Sequence, residues 1–272
     1  MNKKTVVVLG CSQWRDYSVL LPITCLFWRE VVGYESISLL VEDEKFWMSQ
    51  HKRCKASLKA LKDFAFDHVF IGNIKDREHS TIAQSARQHC AALPLDEELW
   101  LMMSDADLWP LKKDFYHTHG SNPIQSLYSN GNHYQDLPTC HITMQVKTWR
   151  EVMQINPDFG LRNTLEVVFM NSLPEDGFKR WCFDQFYCTE KIKASKYWKE
   201  GVEMIERPGH PPVDRLDRGN VQDWTSTFQS NKWTDAHLLK APEENWAKIR
   251  PVVEALIPQH LDWADKYISE CL

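Results

Sequence analysis

Apolar residues fall into short runs separated by longer amphipathic stretches over the first 111 positions of the chain. The runs are rich in β-branched and other apolar side chains, which indicates strands that are buried on both faces of a sheet. Between them, apolar residues recur every three or four positions, which is typical of helices that cover a sheet. The predicted strands are Thr5–Leu9, Ser36–Val41, Asp67–Ile71 and Glu98–Ser104, and the predicted helices are Tyr17–Val32, Arg53–Ala65 and Ser80–Leu93. This alternation predicts a parallel sheet with right-handed connections.

The pattern weakens after residue 111, where glycine, proline and asparagine mark loops. The segments predicted there are a short helix at Ile124–Tyr128, a strand at Thr139–Val146, and helices at Thr148–Ile155, Asn245–Leu256 and Pro258–Ile268. A further apolar helix is predicted to begin near Trp181, after Gly177. Residues 206–233 are polar, and the prolines among them favour a functional loop over a disordered one.

Two carboxylates separated by one alanine follow the fourth predicted strand, in the sequence Ser104-Asp105-Ala106-Asp107. Residues two apart in an extended chain point to the same side, so these carboxylates would face together with their Cα atoms roughly 6–7 Å apart. They would repel each other unless a positive charge, such as a divalent cation, lay between them. Because open α/β sheets bind ligands at strand ends, the cation would meet a phosphate-bearing ligand. The alternative is a surface turn with solvated carboxylates.

Composition and charge limit the class of protein. The 272 residues are 43% hydrophobic and 25% charged, as in soluble globular proteins, and the net charge of −5 gives no sign of a nucleic-acid-binding surface. No stretch reaches the ~20 apolar residues of a membrane span, and the first residues lack the pattern of a signal peptide. The eight cysteines contain no zinc-type pair, which predicts reduced and mostly buried thiols. We therefore expect a cytoplasmic protein without a membrane span or a nucleic-acid partner.

The Asp105–Asp107 motif at the end of a central strand resembles the Asp-X-Asp motif of the GT-A glycosyltransferases. The resemblance implies the GT-A fold, a single α/β domain over residues 1–272 with a mixed, mostly parallel sheet flanked by helices. It implies a nucleotide-sugar-binding half at 1–111, an acceptor half with an active-site loop at 112–240, and C-terminal helices at 241–272. The chain is also similar to the small soluble glycosyltransferases of large algal viruses, through this motif, the Asp-Gln pair at 184–185 and the Asp-Arg-Leu-Asp-Arg stretch at 214–218.

The resemblance implies contacts to the nucleotide from the first half of the chain. In the family, the loop after the first strand meets the base and ribose, which makes Cys11 and Ser12 candidates; the alternative is an ordinary βα turn. An acidic residue after the second strand, Asp43 or Glu42, would bind a ribose hydroxyl unless it belongs to a solvated turn. On the helix before the motif, Arg87 would contact the nucleotide or the first carboxylate.

The arginines of the polar loop are expected to bind the diphosphate. Arginine fits phosphate oxygens in a bidentate manner, which makes Arg215 and Arg218, together with Arg207, candidates for this contact. The alternative is that the Asp-Arg-Leu-Asp-Arg stretch forms ion pairs among its own residues, which would contribute little to stability.

The resemblance also implies a metal site of Mn²⁺ or Mg²⁺. In the family the two carboxylates hold the cation against the diphosphate, so Asp105 and Asp107 are the expected ligands and Asp105 also faces the donor. GT-A enzymes often add a late histidine to this set. His237 is the first candidate for that ligand, and His210 is the second.

Asp184 opens a predicted helix in an Asp-Gln pair, and in GT-A families the aspartate of such a pair lies near the anomeric carbon or the acceptor. An inverting transfer needs a carboxylate to take the acceptor proton, and a retaining transfer needs a group close to the anomeric carbon. Asp184 suits either catalytic role. The alternative is a first-turn charge that the helix dipole stabilises.

We therefore expect a metal-dependent glycosyltransferase that moves a sugar from a nucleoside diphosphate sugar, in the first place a UDP-sugar, to a hydroxyl of a glycan or glycoconjugate. A sugar nucleotidyltransferase shares the sheet and the carboxylates. It usually has a glycine-rich loop with a basic residue after the first strand, of which residues 10–15 are a poor version. The third alternative is a nucleotide-sugar or carbohydrate-binding module without catalysis, in which the twelve tryptophans would supply stacking surfaces.

Overall fold

A seven-stranded sheet is the centre of the structure, a computed structural model that describes residues 4–13, 15–49, 51–116, 121–127, 137–172, 182–205, 215–225, 228–229 and 231–272. The strands of this sheet are β1 (Thr5–Cys11), β2 (Glu35–Val41), β3 (Asp67–Gly72), β4 (Trp100–Asp105), β6 (Ile124–Leu127), β7 (Ile142–Gln145) and β8 (Val202–Ile205). A second, smaller sheet contains β5 (Leu108–Pro110), β9 (Arg215–Asp217) and β10 (Asp235–His237). The large sheet has the order β3-β2-β1-β4-β7-β6-β8. Strands β1 to β4 are parallel, as predicted, whereas β7 runs antiparallel to both β4 and β6.

Helices cover both faces of this sheet. They are α1 (Arg15–Phe27), α2 (Glu44–Ser49), α3 (Lys52–Asp63), α4 (His79–Gln88), α5 (Lys113–Tyr116), α6 (Val146–Met153), α7 (Gly160–Ser172), α8 (Phe183–Ala194), α9 (Val221–Thr225), α10 (Trp246–Leu256) and α11 (Leu261–Cys271). Alternate residues of β1 serve the two layers, as strand geometry requires. Val7 and Leu9 join a core with α1, α3, α10 and α11, while Val6 and Val8 join a second core with α4, α6, α7 and α8.

The predicted elements of the first half are confirmed with small changes at their ends. The first predicted helix is α1 followed by a π-helical turn at Trp28–Val32, and it ends at Gly33, whose φ of +86° favours glycine. The helix predicted at Ser80–Leu93 is α4 followed by a 3₁₀ turn at Cys90–Ala92. Phe27 and Trp28 are fully buried, as expected of core residues.

Two predictions in the second half are wrong in element type or length. Ile124–Leu127 forms a strand instead of a helix, because it is hydrogen-bonded between β7 and β8 and all four of its residues are buried. The strand predicted over Thr139–Val146 is confined to β7, since Thr139–His141 forms a 3₁₀ turn and Val146 begins α6. In both cases the partner strands, which are distant in sequence, decide the conformation.

The cysteines and the lengths of the helices bear on the expected class of protein. No disulfide joins the eight cysteines, all of which lie in the described part of the chain, and six of them are buried, as predicted. Among the helices in the described part of the chain, none combines the length and the apolar character that crossing a bilayer requires.

Candidate active site

A small second sheet brings distant polar residues to the end of β4. Strand β10 pairs antiparallel with β5 and parallel with β9. In this register His237 stands opposite Leu108 and Asp217, and the backbone N–H of Leu238 donates to the carbonyl of Asp107 at 2.9 Å. Sheet pairing therefore carries a late histidine to the second carboxylate of the acidic motif.

A cleft of about 340 Å³ opens at the carboxyl ends of β1 and β4. Gly10 of β1 stands opposite Asp105, and a Cβ atom at position 10 would lie 2.0 Å from the carbonyl oxygen of Ala83. Glycine thus allows α4 to cross close over β1, and one turn beyond Ala83 the helix places Arg87 beside Asp105. The residues that line the cleft include Gly10, Arg87, Asp105, Asp107, Arg218 and His237.

The guanidinium of Arg87 joins Asp105 to Asp184. Its Nη1 contacts Oδ1 of Asp105 and donates to the carbonyl of Ser104 at 2.9 Å, and its Nη2 donates to Oδ2 of Asp184 at 2.9 Å. Thr139 donates its hydroxyl to the same Oδ2 at 3.1 Å. The side chains of Arg87 and Asp184 are only 4% and 7% exposed, so this pairing compensates charges that are held out of water.

The carboxylates that face Arg87 differ in pKa. Burial raises the pKa of Asp184 above its ordinary value, and the charge of Arg87 does not offset that effect. Burial acts in the same direction on Asp105, but the charges of Arg87 and His237 outweigh it and lower the pKa. Burial opposes the charged form of His237, yet the hydrogen bond and charge of Asp107 raise the pKa of the imidazole. The cleft thus favours an ionised Asp105 beside a histidine that is more easily protonated than usual.

Asp107 has its own partners on the side of the small sheet. Nη1 of Arg218 donates to Oδ2 of Asp107 at 2.8 Å, and Nε2 of His237 lies 3.5 Å from the same oxygen. The other ring nitrogen of His237, Nδ1, lies 3.4 Å from Oδ2 of Asp217. The Asp107 side chain is 6% exposed and that of Arg218 is 29% exposed, so the arginine is the more accessible member of the pair.

The predicted metal ligands Asp105, Asp107 and His237 all line the cleft, and two carboxylates with an imidazole are donor types that suit Mn²⁺ or Mg²⁺. Their positions, however, do not group them around one point. Within the described residues, no three His, Cys, Asp or Glu side chains stand close enough together to hold a metal ion. Arg87 and Arg218 instead hold the two carboxylates in separate contacts. A metal requirement therefore stays a prediction.

Three residues that were expected to bind the donor do not line the cleft. Cys11 is fully buried in the hydrophobic core. Asp43 is exposed and accepts a hydrogen bond from the backbone N–H of Phe46 at 2.7 Å, which caps the start of α2. Arg215 forms a two-pronged ion pair with Asp235, whose side chain is 0% exposed. Core packing, helix capping and a buried ion pair thus occupy these side chains, so the geometry of the cleft adds no support for the ligand contacts predicted for them.

Other predicted residues do reach the cleft. Ser12, Arg87 and Arg218 line it, whereas Arg207 and His210 lie outside the described residues. Asp184 does not line the cleft, because its carboxylate lies behind Arg87 and is bound to it. In this structure Asp184 supports the arginine, and its expected place near the anomeric carbon or the acceptor stays a prediction.

Tyr17, Gln84 and Gln185 are among the cleft residues that were not predicted. Gln84 precedes Arg87 by one helical turn on α4, and Gln185 is the second residue of the Asp-Gln pair, so the sequence carried a signal for both. Tyr17 is part of the apolar pattern of α1, and only the packing of that helix beside the acidic motif reveals it. Burial raises the pKa of its phenol to about 12, so the group is a neutral hydrogen-bond donor at physiological pH.

Comparison with known proteins relates this chain to solved structures alone. No protein-family model and no curated protein matches the sequence. The apo-form glycosyltransferase GlyE of Streptococcus pneumoniae TIGR4 matches with a TM-score of 0.50 and 11% identity, over 98% of this chain and 64% of that chain. The galactosyltransferase LgtC, in complex with donor and acceptor sugar analogs, matches with a TM-score of 0.48 and 10% identity, over 97% and 95% of the two chains. The apo WbbM bifunctional glycosyltransferase gives a TM-score of 0.45 at 10% identity.

The fold is that of the GT-A glycosyltransferases. The structural match to GlyE supports this fold assignment. The predicted fold class, a mixed, mostly parallel sheet flanked by helices, is confirmed. The chain spans 64% of the length of GlyE. Likeness at such low identity shows the fold alone, and a fold does not fix a reaction, so activity and ligands are argued from the cleft.

Proposed function

We propose that this protein transfers a sugar from a nucleoside diphosphate sugar, in the first place a UDP-sugar, to a hydroxyl of a glycan or glycoconjugate. The observation that carries the proposal is the meeting of two carboxylates, two arginines and a histidine in one cleft at the strand ends of a GT-A fold. Ligands of open α/β sheets bind at that edge. The cleft volume of about 340 Å³ falls among those of small-molecule sites.

The charges of the cleft explain why a metal ion belongs to this proposal. The two carboxylates of the motif are balanced by the two arginines, and Asp184 behind Arg87 leaves one excess negative charge unless His237 is protonated. An incoming diphosphate would therefore meet no net positive charge. A bound Mn²⁺ or Mg²⁺ would supply that charge and stabilise the leaving diphosphate. Asp105, Asp107 and His237, which all line the cleft, are the candidate ligands, and they would have to move closer together to share one ion.

The remaining polar residues divide into those that touch the donor and those that position others. Arg218 is 29% exposed and has N–H donors beyond the one bound to its carboxylate partner, so we assign it to the diphosphate. Arg87 is 4% exposed and engaged with Asp105 and Asp184, which makes it a positioning residue. Gln185 lines the cleft and follows the buried Asp184 in sequence, and we assign its side chain to the transferred sugar.

The test is turnover of UDP- and GDP-sugars by the purified protein with Mn²⁺ and simple sugar acceptors, followed as release of the nucleoside diphosphate. We expect release from a UDP-sugar, and we expect Arg218→Ala to lower kcat/KM roughly 10- to 100-fold, as the loss of a charged hydrogen bond would. Arg250→Ala is the matched control, because it removes a 3.0 Å surface ion pair to Asp265. Release from no nucleotide sugar, or equal losses in both variants, would contradict the proposal.

The same preparation separates the two alternatives. A sugar nucleotidyltransferase would release pyrophosphate from a nucleoside triphosphate in the presence of a sugar phosphate. A binding module would bind UDP or a glycan in calorimetry without turnover of any nucleotide sugar. Either result would replace the transferase assignment.

A further inference from the structure

A stripe of lysines lies on the exposed face of α3. Lys52, Lys55, Lys59 and Lys62 follow one another at intervals of three, four and three residues, so the helix presents them along one line. All four are exposed, whereas Leu58 and other residues of the opposite face are buried in the core. Because the whole chain carries a net charge of −5, the stripe is a local excess of positive charge against the overall sign.

The carboxylates near this stripe neutralise only part of it. Lys59 and Lys62 pair with surface carboxylates of α3 and α2. Lys52 and Lys55 form no ion pair within the described part of the chain. Exposed ion pairs contribute little free energy, so an approaching anionic surface can recruit the paired lysines as well as the free ones.

Apolar side chains border the stripe on both sides. Met48 of α2 is 46% exposed and shares a depression of about 410 Å³ with the four lysines. On the other side, Trp263 and Lys266 of α11 line a second depression of about 260 Å³, which also includes Lys59. Lysines with methionine and tryptophan at their edges are typical of surfaces that lie in the headgroup layer of a bilayer.

We propose that this lysine face, defined by Met48, the four α3 lysines and Trp263, binds the anionic surface of a lipid bilayer. The lysines would contact headgroup phosphates, and Met48 would enter the boundary of the acyl chains. The stripe contains no arginine for bidentate phosphate contacts, and an exposed methionine gains nothing from a nucleic-acid backbone. The combination therefore favours a lipid surface over a nucleic acid.

The stripe begins at the edge of the sheet where the cleft opens. Sγ of Cys54, in the first turn of α3, lies 4.0 Å from the carbonyl oxygen of Gln13, and Gln13 follows the cleft residue Ser12. A protein that lies on α3 would hold the cleft near the bilayer, within reach of a lipid-linked hydroxyl. That consequence rests on the proposed function, whereas lipid binding itself does not.

Co-sedimentation of the full chain with vesicles tests the proposal. We expect binding to vesicles of equal parts phosphatidylglycerol and phosphatidylcholine, little binding to pure phosphatidylcholine, and weaker binding at high salt. A variant with the four α3 lysines changed to glutamine should lose roughly 30-fold or more in partition coefficient, since two free lysines contribute about 1 kcal/mol each near an anionic leaflet.

A matched quadruple variant controls for net charge. It carries Lys147→Gln, Lys196→Gln, Lys199→Gln and Lys240→Gln, of which the first two remove surface ion pairs and the last two change exposed lysines. It should bind vesicles as the wild type does. Both variants should keep the wild-type melting temperature and the wild-type turnover with a soluble acceptor. A failure of the lipid-binding proposal is therefore distinguishable from a failure of the transferase assignment.

Met48→Ser separates a lipid surface from other polyanions. It should weaken vesicle binding and leave any binding to duplex DNA unchanged. The proposal is overturned if the wild type ignores anionic vesicles, or if both quadruple variants lose binding equally. It is also overturned if duplex DNA binds more tightly than vesicles while Met48→Ser affects neither.

Discussion

Nη2 of Arg87 lies 2.9 Å from Oδ2 of Asp184, across 97 residues of sequence. The contact links α4, which precedes the acidic motif, to the first turn of α8, which lies between β7 and β8 in the chain. Because the same guanidinium also holds Asp105, the position of this cleft carboxylate depends on a pair that is almost entirely out of water. Loss of this arginine should therefore affect both folding and ligand binding.

Arg87→Ala should lower the free energy of unfolding by about 3–5 kcal/mol, because it leaves a buried carboxylate without its cation. Urea denaturation at neutral pH measures this loss. Arg162→Ala, which removes an exposed pair to Glu166, should cost about 0.5 kcal/mol or less. Similar losses in the two variants would mean that Asp184 does not depend on Arg87.

Arg215 and Arg218 are only three residues apart, yet they should respond differently to truncation. Arg215→Ala strands the buried carboxylate of Asp235 and should cost about 3–5 kcal/mol of stability. Arg218→Ala removes the more exposed partner of Asp107 and should cost about 1 kcal/mol while weakening UDP binding. Denaturation and calorimetry with UDP measure the two effects. The opposite assignment of the two losses would contradict the geometry described here.

His89 should make the protein less stable in mild acid. Its ring is fully buried, Nδ1–H donates to the Ser85 carbonyl at 2.8 Å, and burial lowers the pKa to about 4. In the unfolded chain the pKa is about 6.5, so between these values the unfolded state binds a proton that the folded state excludes. The free energy of unfolding therefore falls as the pH falls from 6.5 to 4, by about 2 kcal/mol between pH 7 and pH 5.

The variant His89→Asn isolates this contribution. An asparagine amide keeps a donor for the Ser85 carbonyl but does not titrate, so the difference in unfolding free energy between pH 7 and pH 5 should shrink by about 2 kcal/mol. Comparison with wild type is needed because burial also lowers the pKa of His141. His51→Asn, at an exposed position, is the control. An unchanged pH dependence in His89→Asn would show that the ring is hydrated in solution.

Mn²⁺ should raise the melting temperature of the wild type in the presence of UDP by roughly 5–10 °C at a ligand concentration of about 100 Kd. Asp107→Ala should abolish the part of the shift that depends on Mn²⁺, because it removes one of the carboxylates predicted to bind the ion. Asp43→Ala, which removes a surface carboxylate away from the cleft, should retain the shift. A full Mn²⁺-dependent shift in Asp107→Ala would remove this residue from the metal site.

Local pattern was sufficient for the first half of the fold. The alternation of apolar runs and amphipathic stretches predicts β1 to β4 and the helices between them, because neighbouring residues carry the signals for strands, helix periodicity and the glycine end at Gly33. The position of the acidic motif follows from the same pattern, since Asp105 ends β4. Pattern was insufficient for β6, whose residues Ile124–Leu127 become a strand only between β7 and β8.

The residues of the cleft, like the strands, were predicted from the sequence only in part. From the sequence alone, Arg215 and Arg218 were equivalent, and Asp184 was the candidate of the Asp-Gln pair at 184–185, whereas Gln185 is the member that lines the cleft. Pairing of β9 with β10 places Arg215 opposite Asp235, and Arg218 lies beyond the strand end where it meets Asp107. Adjacent residues thus take different roles because side-chain direction and partners are set by strands that meet only in the folded chain. The sequence by itself determined the elements of the first half and where the acidic motif falls, because those signals are local. Tertiary pairing decided the conformation of β6, which charged groups face the cleft and which are neutralised in the core.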